Sequence, residues 1–365
     1  SYGLLARETD KLASHRFDTV VLDEAQAIKN PRSQRAAAAF RLQAAARVVA
    51  TGTPVQNRLS ELYSIFRFLV PGLLGSMRSF NENFAKPIEK EQDREALDRL
   101  RRRTSPFILR RTKSEVLDDL PPRTDITLRI EAEPEEAAYY EALRRHANEQ
   151  LDLQRKLGPQ QVRFVILAAL TKLRRACCHP SLAQPPKGKK QPQVGGAKLD
   201  TLLTLLTELI ASRHRTLVFS QFVDVLSLVR ARLDEAAIAY EYLDGGTAAK
   251  ARDERVAAFQ AGRGDVFLIS TKAGGFGLNL TGADYVVHVD PWWNPAVEDQ
   301  ASDRVHRIGQ RRPVTVYRLV MANTIEESIL KLHRTKRQLA DALLADTDAP
   351  PTLDVDELVM LLRDD

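Results

Sequence analysis

The chain has 365 residues, 44% hydrophobic and 28% charged, with a formal net charge of +6. That composition supports two or three globular domains, excludes bulk disorder, and permits a polyanion partner without requiring one. No apolar run is long enough to cross a bilayer, the first residues lack the basic flank and apolar core of a secretory leader, and two adjacent cysteines exclude a disulfide framework and fit a reducing compartment.

The first stretch, FDTVVLDEAQAIKN (17–30), is an apolar run ending in the adjacent carboxylates Asp23 and Glu24. TVVL predicts a short strand, SQRAAAAFRLQAA a helix, and RVVA a second strand ending at the turn TGTP, Thr51–Pro54. These read as strands of a parallel sheet, buried on both faces. From Leu59 to about Leu120 the pattern is helical. Within it, RLRRRTSPFILRRTK (99–113) holds seven basic residues and no acid, either a solvated helix face or a phosphate-contacting strip. DDLPPRTD (118–125) is a boundary, because two prolines break any helix.

Residues 134–182 read as long helices. They end near LRRACCHPSL, where Cys177, Cys178 and His179 have the wrong spacing for zinc and a buried structural role is expected. AQPPKGKKQPQVGG (183–196) is a flexible linker. A second α/β pattern follows: helix 199–213, strand TLVFS (216–220), helix 223–236, strand YEYLD, helix 249–261 and strand DVFLIS (265–270). Strand YVVHVD (285–290), helix 296–308 and strand VTVYRLV (314–320) continue it, and a long helix from Thr324 to about Ala345 closes it. The alternation has the spacing of right-handed βαβ crossovers.

Parallel sheets bind ligands at the carboxyl ends of their strands. Asp23 at such an end suits magnesium held through water, and Glu24 suits orientation of an attacking water, although acidic residues commonly end strands. On the expected helix 296–308, Gln300, Arg304 and Arg307 fall at i, i+4 and i+7, on one face. Read by themselves, the two arginines are a surface pair bridged to Asp299 or Asp303. STKAGGFGLNL (270–280) carries three glycines that let the backbone approach a ligand, without dinucleotide-fingerprint spacing. Trp292 and Trp293 read as a buried turn packed by prolines rather than a base-stacking platform.

In order, VVLDEAQAIKN, ATGTPVQNRLSELYSIFRFLVPGLLG, FILRRTKSEVLDDLPPRT, TLVFSQF, LISTKAGGFGLNLTGADYVVHVDPWWNP and EDQASDRVHRIGQRRPVTVYRLV closely resemble the SWI/SNF-type ATPases of helicase superfamily two. These are DNA translocases that include chromatin remodellers and bacterial relatives. The resemblance covers nearly the whole chain, and SYGLL at the start is similar to the segment ahead of the D-E strand.

The resemblance implies an α/β fold of two RecA-like lobes, the first incomplete and the second complete, with helical insertions. Lobe one would be 1–120, a connector and helical insertion 121–182, the linker 183–197, lobe two 198–346 and a tail helix 347–365. It implies ATP and Mg²⁺. Asp23 would take the metal through water, and Glu24 would activate water. Gln26, Thr51, Gly52, Thr53, Gly277, Asn279 and Gln300 would bind nucleotide or couple its state to movement, and Arg304 and Arg307 would reach across the cleft to the phosphates. Ser270, Thr271 and Lys272, with Arg110 and Arg111, would face DNA. The implied partner is double-stranded DNA, with DNA-bound proteins such as RNA polymerase or nucleoid proteins as candidate loads. No membrane is implied, and the protein would be a monomer. An aromatic content of 6% agrees with reading phosphates more than bases. Gln26 stands where many eukaryotic members carry histidine. With 39 arginines against 15 lysines this points to a GC-rich bacterium, its cytoplasm and nucleoid.

One family element has no match. The phosphate-cradling G-x-x-x-x-G-K-[ST] is absent from the 365 residues; the lone Gly-Lys pair, Gly188–Lys189, is followed by Lys190 in the linker. A chain beginning at Ser1 is therefore expected to be an excerpt lacking about half of lobe one, with an uncovered sheet edge and core face. Alone it is expected to hydrolyse ATP little or not at all. The alternatives are a non-catalytic module that binds DNA or a partner, and a strand-separating helicase, which DPWWNP and the helical insertions disfavour.

Overall fold

In a computed structural model, the structure describes residues 1–51, 59–109, 111, 120–153, 159–183, 196–274 and 278–333. The chain divides into two units, the first formed by Ser1–Arg111 and the second by Thr112–Leu332. Among the described residues no helix is long and apolar enough to cross a membrane.

Unit 1 begins with two short helices, α1 (Tyr2–Arg7) and α2 (Thr9–Ala13), then strand β1 (Arg16–Leu22), helix α3 (Gln34–Phe40) and strand β2 (Gln43–Val49). Ser33 caps α3 by accepting the Ala36 N–H, and β1 and β2 pair in parallel from Arg16↔Gln43 to Leu22↔Val49. Ala36, Ala38 and Ala39 of α3 pack with Leu22, Ala25, Ile28, Leu42 and Phe68. Among the described residues the opposite face is open: the register partners Val21 and Val48 are 59% and 47% exposed. The expected burial of these strands on both faces is thus corrected, since α3 covers one face and no described element covers the other. A second core joins α4 (Leu59–Leu69), α5 (Met77–Phe80), α6 (Lys86–Glu91) and α7 (Arg94–Thr104) through Leu59, Leu62, Phe66, Phe80, Ile88 and Leu100. On α7 the basic strip is partly engaged: Arg99 pairs with Glu95, Arg101 with Asp98, and Arg103 lies over Phe84.

Unit 2 holds a six-stranded sheet. Its elements are β3 (Arg123–Ile130), α8 (Pro134–Leu153), α9 (Pro159–Cys178), α10 (Ala197–Ala211), β4 (Thr216–Ser220), α11 (Val223–Glu235) and β5 (Tyr240–Leu243). They continue with α12 (Ala249–Gln260), β6 (Val266–Ser270), α13 (Thr271–Gly274), β7 (Tyr285–His288), α14 (Pro295–Ser302) and β8 (Val314–Met321). The order is β3-β8-β7-β4-β6-β5, and every neighbouring pair is parallel. β4 and β6 are buried along their whole length, as central strands covered on both faces must be. Side chains alternate between two cores: Val218 packs with α9, α10 and α11, while Leu217 and Phe219 pack with Phe259, Val305 and Val316. Cys177 and Cys178 are free and buried, and burial pushes both thiols up.

Further features depart from the pattern read in the sequence. Residues 43–45, read there as the end of a helix, open strand β2. Arg123–Ile130, taken there as a proline boundary and connector, is the edge strand β3. Its Ile126, Leu128 and Ile130 alternate with polar residues, the period of a half-buried strand. The helix expected over 296–308 stops at Ser302, and Arg304 and Arg307 lie beyond it. Beyond it the backbone tightens into turns: the Arg304 and Val305 N–H groups bond the Ala301 and Ser302 carbonyls three residues back, at 3.2 and 3.0 Å, while Arg304 O accepts the Leu280 N–H at 3.0 Å. Gly309, at φ 99°, then turns the chain back in the left-handed region.

Candidate nucleotide-site residues

In unit 1 the candidate residues sit where β1 ends. Two backbone bonds extend the ladder past the strands, Ala50 N–H to Leu22 O at 2.9 Å and Ala25 N–H to Ala50 O at 3.2 Å. They leave Asp23 and Glu24 in a tight exposed turn with Glu24 at φ 49°, ψ 49°, a left-handed conformation that costs a side-chain-bearing residue about 1–2 kcal/mol. Side chains hold the turn there. The Tyr2 hydroxyl donates to the Asp23 carbonyl at 2.6 Å, and the Glu24 N–H donates to Asp23 Oδ1 at 2.9 Å. Gln26 Nε2 donates to Glu24 Oε2 at 2.6 Å, and the Thr51 hydroxyl donates to Gln26 Oε1 at 3.2 Å. Burial first, then the charges of Asp23 and Glu24, push the Tyr2 phenol up to about 12, so it stays a donor.

Gln26 thus joins the carboxylate turn to the end of the second strand through one amide. The sequence placed Glu24 and Gln26 in one motif and Thr51 in another; the fold brings them into one chain of hydrogen bonds. It gave Tyr2 no role, and no local signal would have, because Tyr2 and Asp23 are 21 residues apart. Among the described residues no three His, Cys, Asp or Glu side chains form a metal cage. One exposed carboxylate with an oxygen left over after its turn bond fits magnesium, which keeps most of its water and takes phosphate oxygens. Gly52 and Thr53 lie outside the described residues.

In unit 2, Ser270 ends β6, buried, its Oγ accepting the Ala273 N–H at 3.4 Å. Thr271 and Lys272 open α13, which packs against α14, the helix that carries Gln300. Asn279 is exposed between buried Leu278 and Leu280. The Leu278 and Leu280 backbone meets the arginine segment: Leu280 N–H bonds Arg304 O, and Arg307 Nη1 lies 3.5 Å from Leu278 O. Arg304 is only 8% exposed, and Arg307 is half-buried. The fold therefore gathers Asn279, Arg304 and Arg307, though not by the single helical face expected of them. Gly277 and Arg110 lie outside the described residues, and Arg111 is exposed at the edge of unit 1.

Asp299 and Asp303, the alternative partners of those arginines, pair with Arg123 at 3.1 and 3.6 Å. Trp292 and Trp293 are half-buried. The Trp293 ring carries the Arg174 guanidinium at 5.0 Å, and the Trp292 N–H donates to Glu298 Oε1 at 2.8 Å, so both belong to a packed turn. At the carboxyl ends of β4 and β7, Ser220 donates to Asp290 Oδ1 at 2.5 Å with Arg174 at 3.7 Å. Burial nonetheless pushes that carboxyl up.

The family described as "SNF2-related domain" matches residues 1–182, and that described as "Helicase conserved C-terminal domain" matches residues 197–309. YwqA of Bacillus subtilis, assigned by name to the ATP-dependent helicases/translocases, is 36% identical over 361 residues, 98% of this chain and 39% of that protein. The TATA-binding protein-associated factor MOT1 of Saccharomyces cerevisiae is 34% identical over 94% of this chain and 21% of its own length. The solved SWI2/SNF2 ATPase core of Sulfolobus solfataricus in complex with dsDNA is 34% identical, with a TM-score of 0.52, over 99% of this chain and 73% of that one. The chain spans well under half the length of these two curated relatives.

Proposed function

The chain belongs to the SNF2-type ATPases of helicase superfamily two, and from that premise we propose that it works in an ATP-driven translocase of double-stranded DNA that moves or displaces DNA-bound proteins. The observation that carries the proposal is the hydrogen-bonded series Asp23–Glu24–Gln26–Thr51, a carboxylate turn linked through one amide to the next strand end.

Asp23 is the proposed magnesium ligand, through water, and Glu24 the residue that orients the attacking water. Bound magnesium would supply positive charge to phosphate oxygens. Gln26 and Thr51, with Gly52 and Thr53, would pass the state of that turn to the strand end. Arg304 and Arg307 would engage the phosphates, because a guanidinium is permanently charged and forks onto phosphate oxygens; Gly277, Asn279 and Gln300 would support them. Ser270, Thr271 and Lys272, with Arg110 and Arg111, would contact the DNA backbone. Its setting would be the cytoplasm and nucleoid, with RNA polymerase or nucleoid proteins as candidate loads.

The 365 residues contain no phosphate-cradling loop, so the chain by itself should turn over little ATP. The same observation favours the second reading, a module that binds DNA or a partner without catalysis. ATP hydrolysis measured with and without duplex DNA, on this chain and on the complete gene product, separates them. Translocase function predicts DNA-stimulated turnover in the complete product, lost in Arg304→Ala or Arg307→Ala with duplex affinity retained. Equal loss of affinity would make these arginines DNA ligands or structural. No turnover in the complete product would leave the binding module.

A further inference from the structure

The segment carrying Arg304 and Arg307 is gripped by the chain where it enters unit 2. The Pro121 carbonyl, which can only accept, lies 2.8 Å from His306 Nε2, so that nitrogen is the donor. Two residues on, Arg123 opens β3 and spreads its guanidinium over three carboxylates. Nε and Nη2 each lie 2.9 Å from Asp125, Nη2 lies 3.1 Å from Asp299 Oδ1, and Nη1 lies 3.6 Å from Asp303 Oδ1. Arg318 of β8 closes the cluster, bonding Asp125 at 2.7 Å and Glu298 at 2.8 Å. The Arg123 and Arg318 side chains are 17% and 8% exposed, so solvent screens these pairs poorly. Burial pushes the Asp125 carboxyl up, but Arg123 and Arg318 outweigh it and hold it below its ordinary value.

The placement of these contacts is specific. Asp303 immediately precedes Arg304, and His306 immediately precedes Arg307. Past Ser302 the backbone keeps only turn bonds such as the His306 N–H to Ser302 O at 3.1 Å, so tethers of this kind add to what fixes both arginines. We infer that Arg123, together with the Pro121–His306 contact, positions the Arg304–Arg307 segment, so that displacement of the chain where it enters unit 2 is passed to the two guanidiniums. This rests on the reading of Arg304 and Arg307 as the phosphate-engaging residues. Arg123 touches no reacting atom on this account; it acts through its neighbours.

The test is DNA-stimulated ATP turnover by the complete gene product. Arg123→Met should lower kcat by about 10- to 100-fold, as a misplaced reactive group does, with the KM for ATP and the duplex affinity changed less than about twofold. In an Arg304→Lys background, which keeps a residual rate, adding Arg123→Met should cost less than about twofold more, because the geometry it protects is already spoiled. If Arg123→Met does not fold, Asp303→Asn removes one half-exposed end of the cluster and should show the same lack of additivity. Full loss of rate on both backgrounds, or wild-type kcat in a folded Arg123→Met or Asp303→Asn protein, overturns the inference while leaving the roles of Arg304 and Arg307 intact. Wild-type turnover in Arg304→Ala, or no turnover in the complete product, overturns those roles and this inference with them.

Discussion

Lys198→Met should destabilise unit 2 in a pH-dependent way that can be worked from the structure. Lys198, on α10, and Glu326 both have side chains with 0% exposure, and Lys198 Nζ lies 2.6 and 2.5 Å from the two carboxylate oxygens. The ammonium also reaches the Val289 and Leu319 carbonyls at 3.1 and 3.4 Å, and Glu326 accepts the Met321 N–H at 2.9 Å. Burial works against both charges and pushes the Glu326 carboxyl up, but the Glu326 charge outweighs burial at Lys198 and raises its pKa, so the ammonium stays protonated. Removing one partner of a buried pair costs about 3–5 kcal/mol.

The variant has one escape, which is to protonate Glu326. For a carboxyl with an unfolded pKa near 4.3, that costs about 4 kcal/mol at pH 7 and about 1 kcal/mol at pH 5. The sign follows. In the variant the folded pKa of Glu326 lies above its unfolded value, so the protonated folded form is favoured at low pH and stability is lost as pH rises. Urea unfolding followed by the fluorescence of Trp292 and Trp293, the two tryptophans of the chain and both in unit 2, reads this directly. Lys198→Met should lie about 3–4 kcal/mol below the parent at pH 7 and recover most of that by pH 5. The double variant Lys198→Met/Glu326→Gln should lose the pH dependence. A deficit that is flat with pH, or below about 1 kcal/mol at pH 7, would refute the reasoning.

Glu24→Gln in the complete gene product should lower ATP turnover by about 100-fold or more, with duplex binding retained in a gel-shift titration. Gln26→Ala removes the amide between Glu24 and Thr51 and should reduce kcat more than it raises the KM for ATP in steady-state assays. Cys177 and Cys178 should resist iodoacetamide in the native protein and both react in urea, as intact-mass measurement would count, because burial raises their thiol pKa values. Gly196→Ala should destabilise unit 2 in a thermal melt, since a Cβ there would stand 2.4 Å from the His179 ring.

Much of the fold is written locally. TLVFS is a run of mostly apolar and β-branched residues between polar Arg215 and Gln221, and it forms β4 over the same five residues, Thr216–Ser220. Contiguous motifs likewise pointed to the family and to the residues now gathered at Asp23 and Arg304. What local pattern could not supply is partnership at long range. β3 is an edge strand with one polar side, beside two prolines, and it becomes a strand by pairing with β8. The helical spacing through Arg307 is sound as far as Ser302, and fails beyond, where Arg304 and Val305 bond carbonyls three residues back and the distant Leu280 N–H takes the Arg304 carbonyl. The open Val21–Val48 face was legible only as an inference from the missing phosphate loop.

The order of the six-stranded sheet also bears on how the protein is made. Among the described residues β3, its first strand in sequence, pairs only with β8, its last, and the contact between Asp125 and Arg318 spans 193 residues. At a synthesis rate of roughly 5–20 residues per second, β3 leaves the ribosome about 10–40 seconds before the strand that completes it. The inner strands can assemble in that interval while β3 waits unpaired, and its docking is a late, slow closure of long contact order. A chaperone that shields nascent chains would find its target in the short run Arg123–Ile130 rather than in the buried strands that follow.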